Sequence, residues 1–323
     1  MRVIVIGASA GGTKAVMVAL EAIPIGSKAV FMVVIHGSME GFTLFPKLLA
    51  QKIKMKVIVA QNGMPIQTGN VYVALANHHL FVGDGKLYLS NGPRENLFRP
   101  SIDVLFRSAA VSFGHQCVGV LLTGRLSDGT AGLEAIKKCG GLTVIQNPAT
   151  AEYSDMPRNA AALVAIDYVV NIEDMAQVII NILDEKLPPK VVAPASLIRE
   201  NSIATKLGSQ ISIEENIGHQ VPISCSSCGG PLWKIEDSKI NRYRCHVGHA
   251  FTEEALLKSQ NDALEEALWI AMRTLVEKKM LLERVSRDYG NRGTSTLSET
   301  QADKIKEVQK QINKLRAVLQ IPD

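Results

Sequence analysis

The chain opens Met1-Arg2-Val3-Ile4-Val5-Ile6-Gly7-Ala8-Ser9-Ala10-Gly11-Gly12-Thr13, and the reading of this stretch decides the fold. Arg2 to Ile6 is an apolar, β-branched run that reads as a buried strand, and Thr13 to Ala22 reads as a helix. Between them Ser9 sits at the centre of a G-x-S-x-G pattern. A nucleophile needs that spacing to stand on a tight strand-to-helix turn, with small neighbours that let the backbone close beneath it. The start of the helix adds unpaired N–H groups for a developing oxyanion. A Gly-rich turn after a first strand also describes a dinucleotide-binding loop, which requires an acidic residue at the end of the second strand. The second strand, Ala29 to Ile35, ends instead at His36, a poor ribose ligand and a good general base. An ester hydrolase is the favoured reading, and an enzyme that binds a nucleotide on Gly7 to Gly12 is the alternative.

Working outward, strand-like runs recur at Val57 to Ala60, Val71 to Ala74, Lys86 to Leu89, Val118 to Leu122, Thr143 to Ile145 and Tyr168 to Val170. Helical stretches alternate with them at Leu44 to Lys54, Ile102 to Phe113, Ala131 to Lys138, Pro157 to Leu163 and Glu173 to Leu183. Such alternation predicts an α/β domain over residues 1–185, with a largely parallel, doubly wound sheet. Val57 to Ser90, rich in turn signals, predicts a small antiparallel appendage. Residues 186–220, with three prolines and a polar tail, read as a linker.

In an open α/β sheet the ligand crevice lies at the carboxyl ends of the strands. His36 follows the second strand there as Ser9 follows the first, and Val118 to Leu122 leads into a Gly-rich loop carrying Asp128. Asp128 could equally cap the helix that follows it, as Ser101 could cap the helix from Ile102. Arg99 reads as an ion-pair partner. Three chemistry-bearing residues from three strand ends form a candidate Ser9, His36, Asp128 triad, in an order unlike the Ser, Asp, His order of the α/β-hydrolases.

Five separated motifs, in order, carry a resemblance: Val5 to Thr13, Val34-Ile35-His36 with Gly41-Phe42, Arg99 to Phe106, Leu122-Thr123-Gly124 with Asp128-Gly129, and Gln146-Asn147 with Met156-Pro157-Arg158. Over Met1 to about Leu183 the chain resembles the catalytic domain of the chemotaxis protein-glutamate methylesterase family (CheB type). The resemblance implies hydrolysis of glutamyl methyl esters on a methylated receptor, with release of methanol and with glutamine deamidation in some members. It makes Ser9 the nucleophile, His36 the base and acid, and Asp128 the carboxylate that orients His36, and no cofactor is implied for catalysis. Ala10, and Arg125-Leu126 beside Asp128, depart from the family's usual residues. The chain begins at the first catalytic strand, so a stand-alone form without a receiver domain is expected. A non-enzymatic signalling adaptor with an idle triad is the rival of different class.

Cys225-x-x-Cys228 and Cys245-x-x-x-His249 form two close pairs whose spacing suits one tetrahedral, structural zinc ion within residues 221–252. His246 is the alternative fourth ligand, and packed reduced thiols are the alternative to any metal. This segment resembles the C-terminal extension of some stand-alone family members. Residues 253–321 read as a helical hairpin. One stripe runs through Leu264, Leu268, Ala271, Leu275 and Leu282, and the other through Ile305, Val308, Ile312, Leu315 and Leu319, after a capping box at Ser298-x-x-Gln301. Self-association or partner binding through these helices is expected.

Composition sets the outer limits. The 323 residues are 46% hydrophobic and 20% charged, with a formal charge of +4 spread over both halves. A folded chain follows, with no basic footprint for nucleic acid. No apolar run is long enough to insert into a membrane, and the start lacks a signal-peptide cleavage site, so a cytoplasmic location is expected.

Overall fold

A computed structural model describes residues 1–205, 218–291 and 295–320. The opening strand becomes β1 (Arg2–Ala8), buried along its whole length, and α1 (Gly12–Glu21) follows after a three-residue turn. Then come β2 (Ala29–Ile35), α2 (Met39–Lys52), β3 (Lys56–Val59), β4 (Met64–Pro65), β5 (Asn70–Val73), β6 (His79–Gly83), β7 (Lys86–Ser90), α3 (Ile102–Phe113), β8 (Cys117–Leu121) and α4 (Thr130–Lys138). The α/β part closes with β9 (Leu142–Gln146), α5 (Asp155–Leu163), β10 (Tyr168–Val170) and α6 (Met175–Asp184).

Seven of these strands form one parallel sheet in the order β10-β9-β8-β1-β2-β5-β3. Unbroken apolar runs such as Val3–Ile6 and Val30–Val34 are what a sheet covered on both faces demands. Alternate residues of β1 serve the two faces: Val3 and Val5 join one apolar cluster with Phe106 and Leu133, Ile4 and Ile6 the other with Leu20 and Ile179. Chain order reverses direction at β1, which lies between β8 and β2. The crevice above the carboxyl end of β1 is therefore the switch point where such sheets bind ligands.

Only part of the expected antiparallel appendage is one. β4, β7 and β6 form a separate antiparallel sheet, whereas β3 and β5 run parallel to β2 and extend the main sheet. The reason is burial: all four residues of β5 are buried, which a surface hairpin cannot offer. The stretch read as a linker contains α7 (Ala195–Thr205), which buries Leu197, Glu200 and Ile203, and its last three residues, 218–220, begin a strand; residues 206–217 lie outside the described residues.

Beyond it β11 (Gly218–Ser224), β12 (Pro231–Ile235), β13 (Arg242–Cys245) and β14 (Ala250–Thr252) form an antiparallel four-stranded sheet. Its small core holds Cys225, Leu232, Tyr243, Cys245, Phe251 and Leu256. This sheet and the α/β part form one compact unit, Met1–Leu256.

The second unit, Leu257–Asp323, is helical. It contains most of α8 (Glu253–Asn291) and all of α9 (Ser295–Val318), packed through Met272, Leu275 and Leu282 against Val308, Ile312, Leu315 and Leu319. Leu264, expected on the inner stripe, is exposed. α9 opens at Ser295, so Ser298 lies inside the helix and not at its cap. Among the described residues no helix is long and apolar enough to cross a membrane.

Candidate active site

Strand register places the first two candidates. Ala8 pairs with Ile35 and Gly7 with Leu121, so Ser9 and His36 leave adjacent strands side by side, at the roughly 4.8 Å spacing of paired strands. Ser9 N donates to Thr123 O (3.0 Å), Gly12 N to Ser9 O (2.8 Å) and His36 N to Ala8 O (3.0 Å), which fixes the turn from both sides. The turn needs its glycines. Gly11 has φ 73°, in the left-handed region, and a Cβ on Gly12 would stand 2.6 Å from the Ala8 Cβ.

Asp128 is fully buried and collects donors. His36 Nε2–H (2.9 Å), Asn96 Nδ2 (2.9 Å), Ser101 Oγ (2.9 Å), Ile102 N (2.7 Å) and Asp103 N (3.3 Å) all reach its two oxygens. Burial by itself would raise this carboxyl. The hydrogen bond and charge of His36, then Asn96 and the Ile102 N–H, outweigh it and hold Asp128 below the ordinary carboxylate range. Because an ionised carboxylate only accepts, Nε2 of His36 carries a proton toward Asp128, and in the neutral imidazole Nδ1 is then the bare nitrogen. Nδ1 is buried and has no hydrogen-bond partner among the described residues. The Phe98 ring stacks on the imidazole with centroids 3.6 Å apart and 8° between planes, which fixes its orientation.

The helix caps are crossed. Asp128 precedes α4 but caps α3, through Ile102 N and Asp103 N, while Asp103 in α3 accepts from Gly129 N (3.0 Å) and Gly132 N (2.6 Å) and so caps α4. Asn96 Nδ2 also donates to Asp103 (2.7 Å). Burial first, and then the neighbouring Asp128, push the Asp103 carboxyl up to about 8. Ser101, expected as a cap, spends its hydroxyl on Asp128 instead. Among the described residues Arg99 makes no ion pair; it donates hydrogen bonds to Asn77 Oδ1 and to the carbonyls of Asn91 and Gly92. Arg125 lies over the Tyr153 ring at 4.9 Å.

Ser9 opens on a cleft of about 640 Å³ bordered by Lys14, Met17, Leu48, Lys52 and Glu152. Asn96 and Phe98 were not singled out by sequence reasoning. Their signal is weak, an Asn in a turn and a Phe beside Arg99-Pro100, because their partners are distant in sequence.

In the four-stranded sheet the ligand atoms of Cys225, Cys228, Cys245 and His249 lie within 4.8 Å of one another. Cys228 Sγ is 3.7 Å from Cys245 Sγ, and His249 Nδ1 is 3.5 Å from Cys245 Sγ. Those separations are close to the edges of a tetrahedron built on Zn–S of about 2.3 Å and Zn–N of about 2.0 Å. The donor set therefore fits zinc. His249, not His246, belongs to the group. Gly229 N to Cys225 O (2.8 Å) and Gly248 N to Cys245 O (2.8 Å) close the two turns, with Gly229 and Gly248 both at positive φ.

A parallel sheet with a Ser/His/Asp grouping at its switch point is the architecture of a serine-dependent hydrolase. The chain belongs to the CheB methylesterase family, whose sequence profile matches residues 4–179. A protein of Leptospira interrogans with the provisional name protein-glutamate methylesterase/protein-glutamine glutaminase is 39% identical over 180 residues, which cover 55% of this chain and 93% of the relative. Protein-glutamate methylesterase/protein-glutamine glutaminase 2 of Anaeromyxobacter dehalogenans is 40% identical over 176 residues, 54% of this chain and about half (51%) of that protein. Among solved structures, the CheB methylesterase catalytic domain of Thermotoga maritima superposes with a TM-score of 0.54 at 26% identity, covering 56% of this chain and 98% of that one.

Proposed function

We propose that this chain is a protein-glutamate methylesterase in which Ser9 attacks the γ-carbonyl of a methylated glutamate. His36 takes the Ser9 proton on Nδ1 and returns it to the departing methoxide, so that methanol leaves. Water, activated by the same nitrogen, then hydrolyses the acyl-enzyme to glutamate. Asp128 holds the Nε2 proton and balances the imidazolium charge, while N–H groups of the turn at the start of α1 receive the oxyanion. Attack on glutamine by the same route would release ammonia, the second activity in the relatives' names. The observation that carries the reading is the buried His36–Asp128 pair, whose Nδ1 has no partner among the described residues, on strands whose register sets His36 and Ser9 side by side.

The substrate is the methylated cytoplasmic region of a chemoreceptor-type protein, which also places the enzyme in the cytoplasm. Zinc in the Cys225, Cys228, Cys245, His249 group is structural: four protein ligands fill a tetrahedron and leave no open position. For the second unit, exposed Leu264, Trp269, Ile270, Met280 and Leu281 on α8 support self-association, which sedimentation of the full chain checks. The test of the main reading is methanol release from a methyl-esterified receptor fragment, with wild type beside Ser9→Ala. Release that disappears in the variant is expected; equal release, or none from folded wild type, overturns it.

A further inference from the structure

The backbone beside the triad is strained. Asn96 and Leu97 are consecutive non-glycine residues at φ 51° and 75°, an unfavourable pairing that persists only where neighbours hold it. The neighbour is the metal-binding sheet. Asn96 N donates to Ala250 O (2.8 Å), Ala250 N to Arg94 O (3.4 Å) and Thr252 N to Asn96 Oδ1 (2.8 Å). Thr252 Oγ1 shares a hydrogen bond with Ser127 Oγ (2.7 Å), one residue before Asp128. β14 thus lies along the loop that positions Asp128 through the Asn96 amide and His36 through the Phe98 ring.

The attachment is deep. Arg244, fully buried next to ligand Cys245, donates to Glu95 (2.8 Å) and to Gly248 O (3.0 Å), and Glu95 also takes Arg107 (2.9 Å). Glu200 of α7 accepts from Arg242 (2.6 Å) and Arg107 (3.3 Å). Breaking a buried ionic cluster of this kind leaves an uncompensated charge, so its members hold one another in place. His249 directly precedes β14, and Cys245 N donates to His249 O (2.9 Å), so whatever fixes these two ligands fixes the start of the strap.

We propose that Asn96 is a positioning residue of the triad and that the Cys225/Cys228/Cys245/His249 metal knuckle clamps it through β14, so that turnover depends on metal held some distance from the reacting atoms. The proposal rests on the methylesterase reading above. Zinc bound to the knuckle fixes Ala250–Thr252, these residues hold Asn96 in its left-handed turn, and Asn96 aims Asp128 at His36. Released metal frees the strap, and the carboxylate and imidazole lose alignment while the Ser9 turn and the cleft lining stay in place. The effect therefore falls on kcat and not on KM.

The experiment uses the full zinc-loaded chain, a chelator, and zinc added back. It reads zinc content, kcat and KM on the methyl-esterified receptor fragment, and the rate at which a fluorophosphonate labels Ser9. Removing zinc is expected to lower kcat and labelling by about 10- to 100-fold, with KM within about twofold and recovery on re-addition. Zinc loss without change in either rate overturns the proposal. If chelation melts the protein, zinc-loaded Asn96→Gly decides instead, since glycine keeps the left-handed backbone and removes only the amide. It is expected to retain zinc, to stay folded with a lower melting temperature because the amide bonds Asp103, Asp128 and Thr252, and to lose about tenfold in kcat with KM within about twofold; unchanged kcat overturns the clamp. Untreated wild type that is never labelled would sink the triad assignment and this inference with it, whereas labelling indifferent to zinc and to Asn96→Gly sinks the clamp alone.

Discussion

Gly124→Ala is the sharpest probe of how Ser9 is held. A Cβ at Gly124 would run into the Met156 thioether and stand 2.7 Å from the Ser9 Cβ. The thioether can rotate away, since methionine fills and vacates gaps easily. Residue 124 is held by its N–H to Tyr153 O (2.9 Å) and by its carbonyl, which accepts from Met156 N (3.0 Å), so Ser9 is the side that yields, straining its N–H bond to Thr123 O and the bond its carbonyl accepts from Gly12 N. Restoring ordinary contact requires the nucleophile to move by about 0.7 to 1 Å, and a displacement of that size at a reacting atom lowers turnover about 100-fold. Overpacking adds a stability loss of about 1–3 kcal/mol. Methanol release and thermal melting separate the two effects. Adding Met156→Ala removes the clash with the thioether but not the one with Ser9, and truncating the fully buried Met156 adds its own loss of stability, so the double variant should regain neither stability nor kcat. Turnover of Gly124→Ala within twofold of wild type, or full recovery of kcat in the double variant, would refute the reasoning.

Asp128→Asn turns its NH2 either toward His36 and the Ile102 N–H, which share one carboxylate oxygen, or toward Asn96 and the Asp103 N–H on the other; the first orientation takes the acceptor from the Nε2 proton and both remove the charge that balances the imidazolium, so kcat should fall by about 10⁴-fold in the methanol assay. Glu200→Gln leaves Arg242 buried against a neutral partner and should cost about 3–5 kcal/mol in urea unfolding, whereas removing both charges as Glu200→Leu with Arg242→Leu should cost less. Melting followed against pH should show two opposed carboxylate effects. Asp103, raised to about 8, holds a proton in the folded state, so its contribution is largest below the unfolded value near 4 and falls as pH rises towards 8. Asp128, Glu95 and Glu200 are held low, the last two by arginines that outweigh burial, so their contribution is complete above about 4 and is lost as pH falls further. Stability that climbs or stays level from pH 8 to 5 and collapses below 4 fits these directions; a steady decline from 8 to 5 does not.

What the sequence made legible was set by range. Ser9, His36 and Asp128 each follow an apolar strand run, and a parallel sheet brings such strand ends to one edge whatever lies between them. The Cys/His pairs were readable for the same reason, since a ligand pair is a local spacing. β5 misled because its four residues look like one arm of a hairpin, and only its burial between β2 and β3 shows that it belongs to the main sheet. The crossed caps could not be read either: Asp128 and Asp103 each stand next to one helix and serve the other, and local capping rules point to the nearer one. Asn96 is the extreme case. Its amide meets Asp128 across 32 residues and Thr252 across 156, and neither periodicity nor spacing reports a side chain whose oxygen and nitrogen answer to two different parts of the unit. One of those two bonds lies within the family match and the other crosses its end. The family's profile ends at residue 179 and contains Asn96 and Asp128, but the residue that takes up the other end of the Asn96 amide lies beyond it. The loop that carries Asn96 within the family match is thus bonded, in this chain, to a strand that the profile match does not reach.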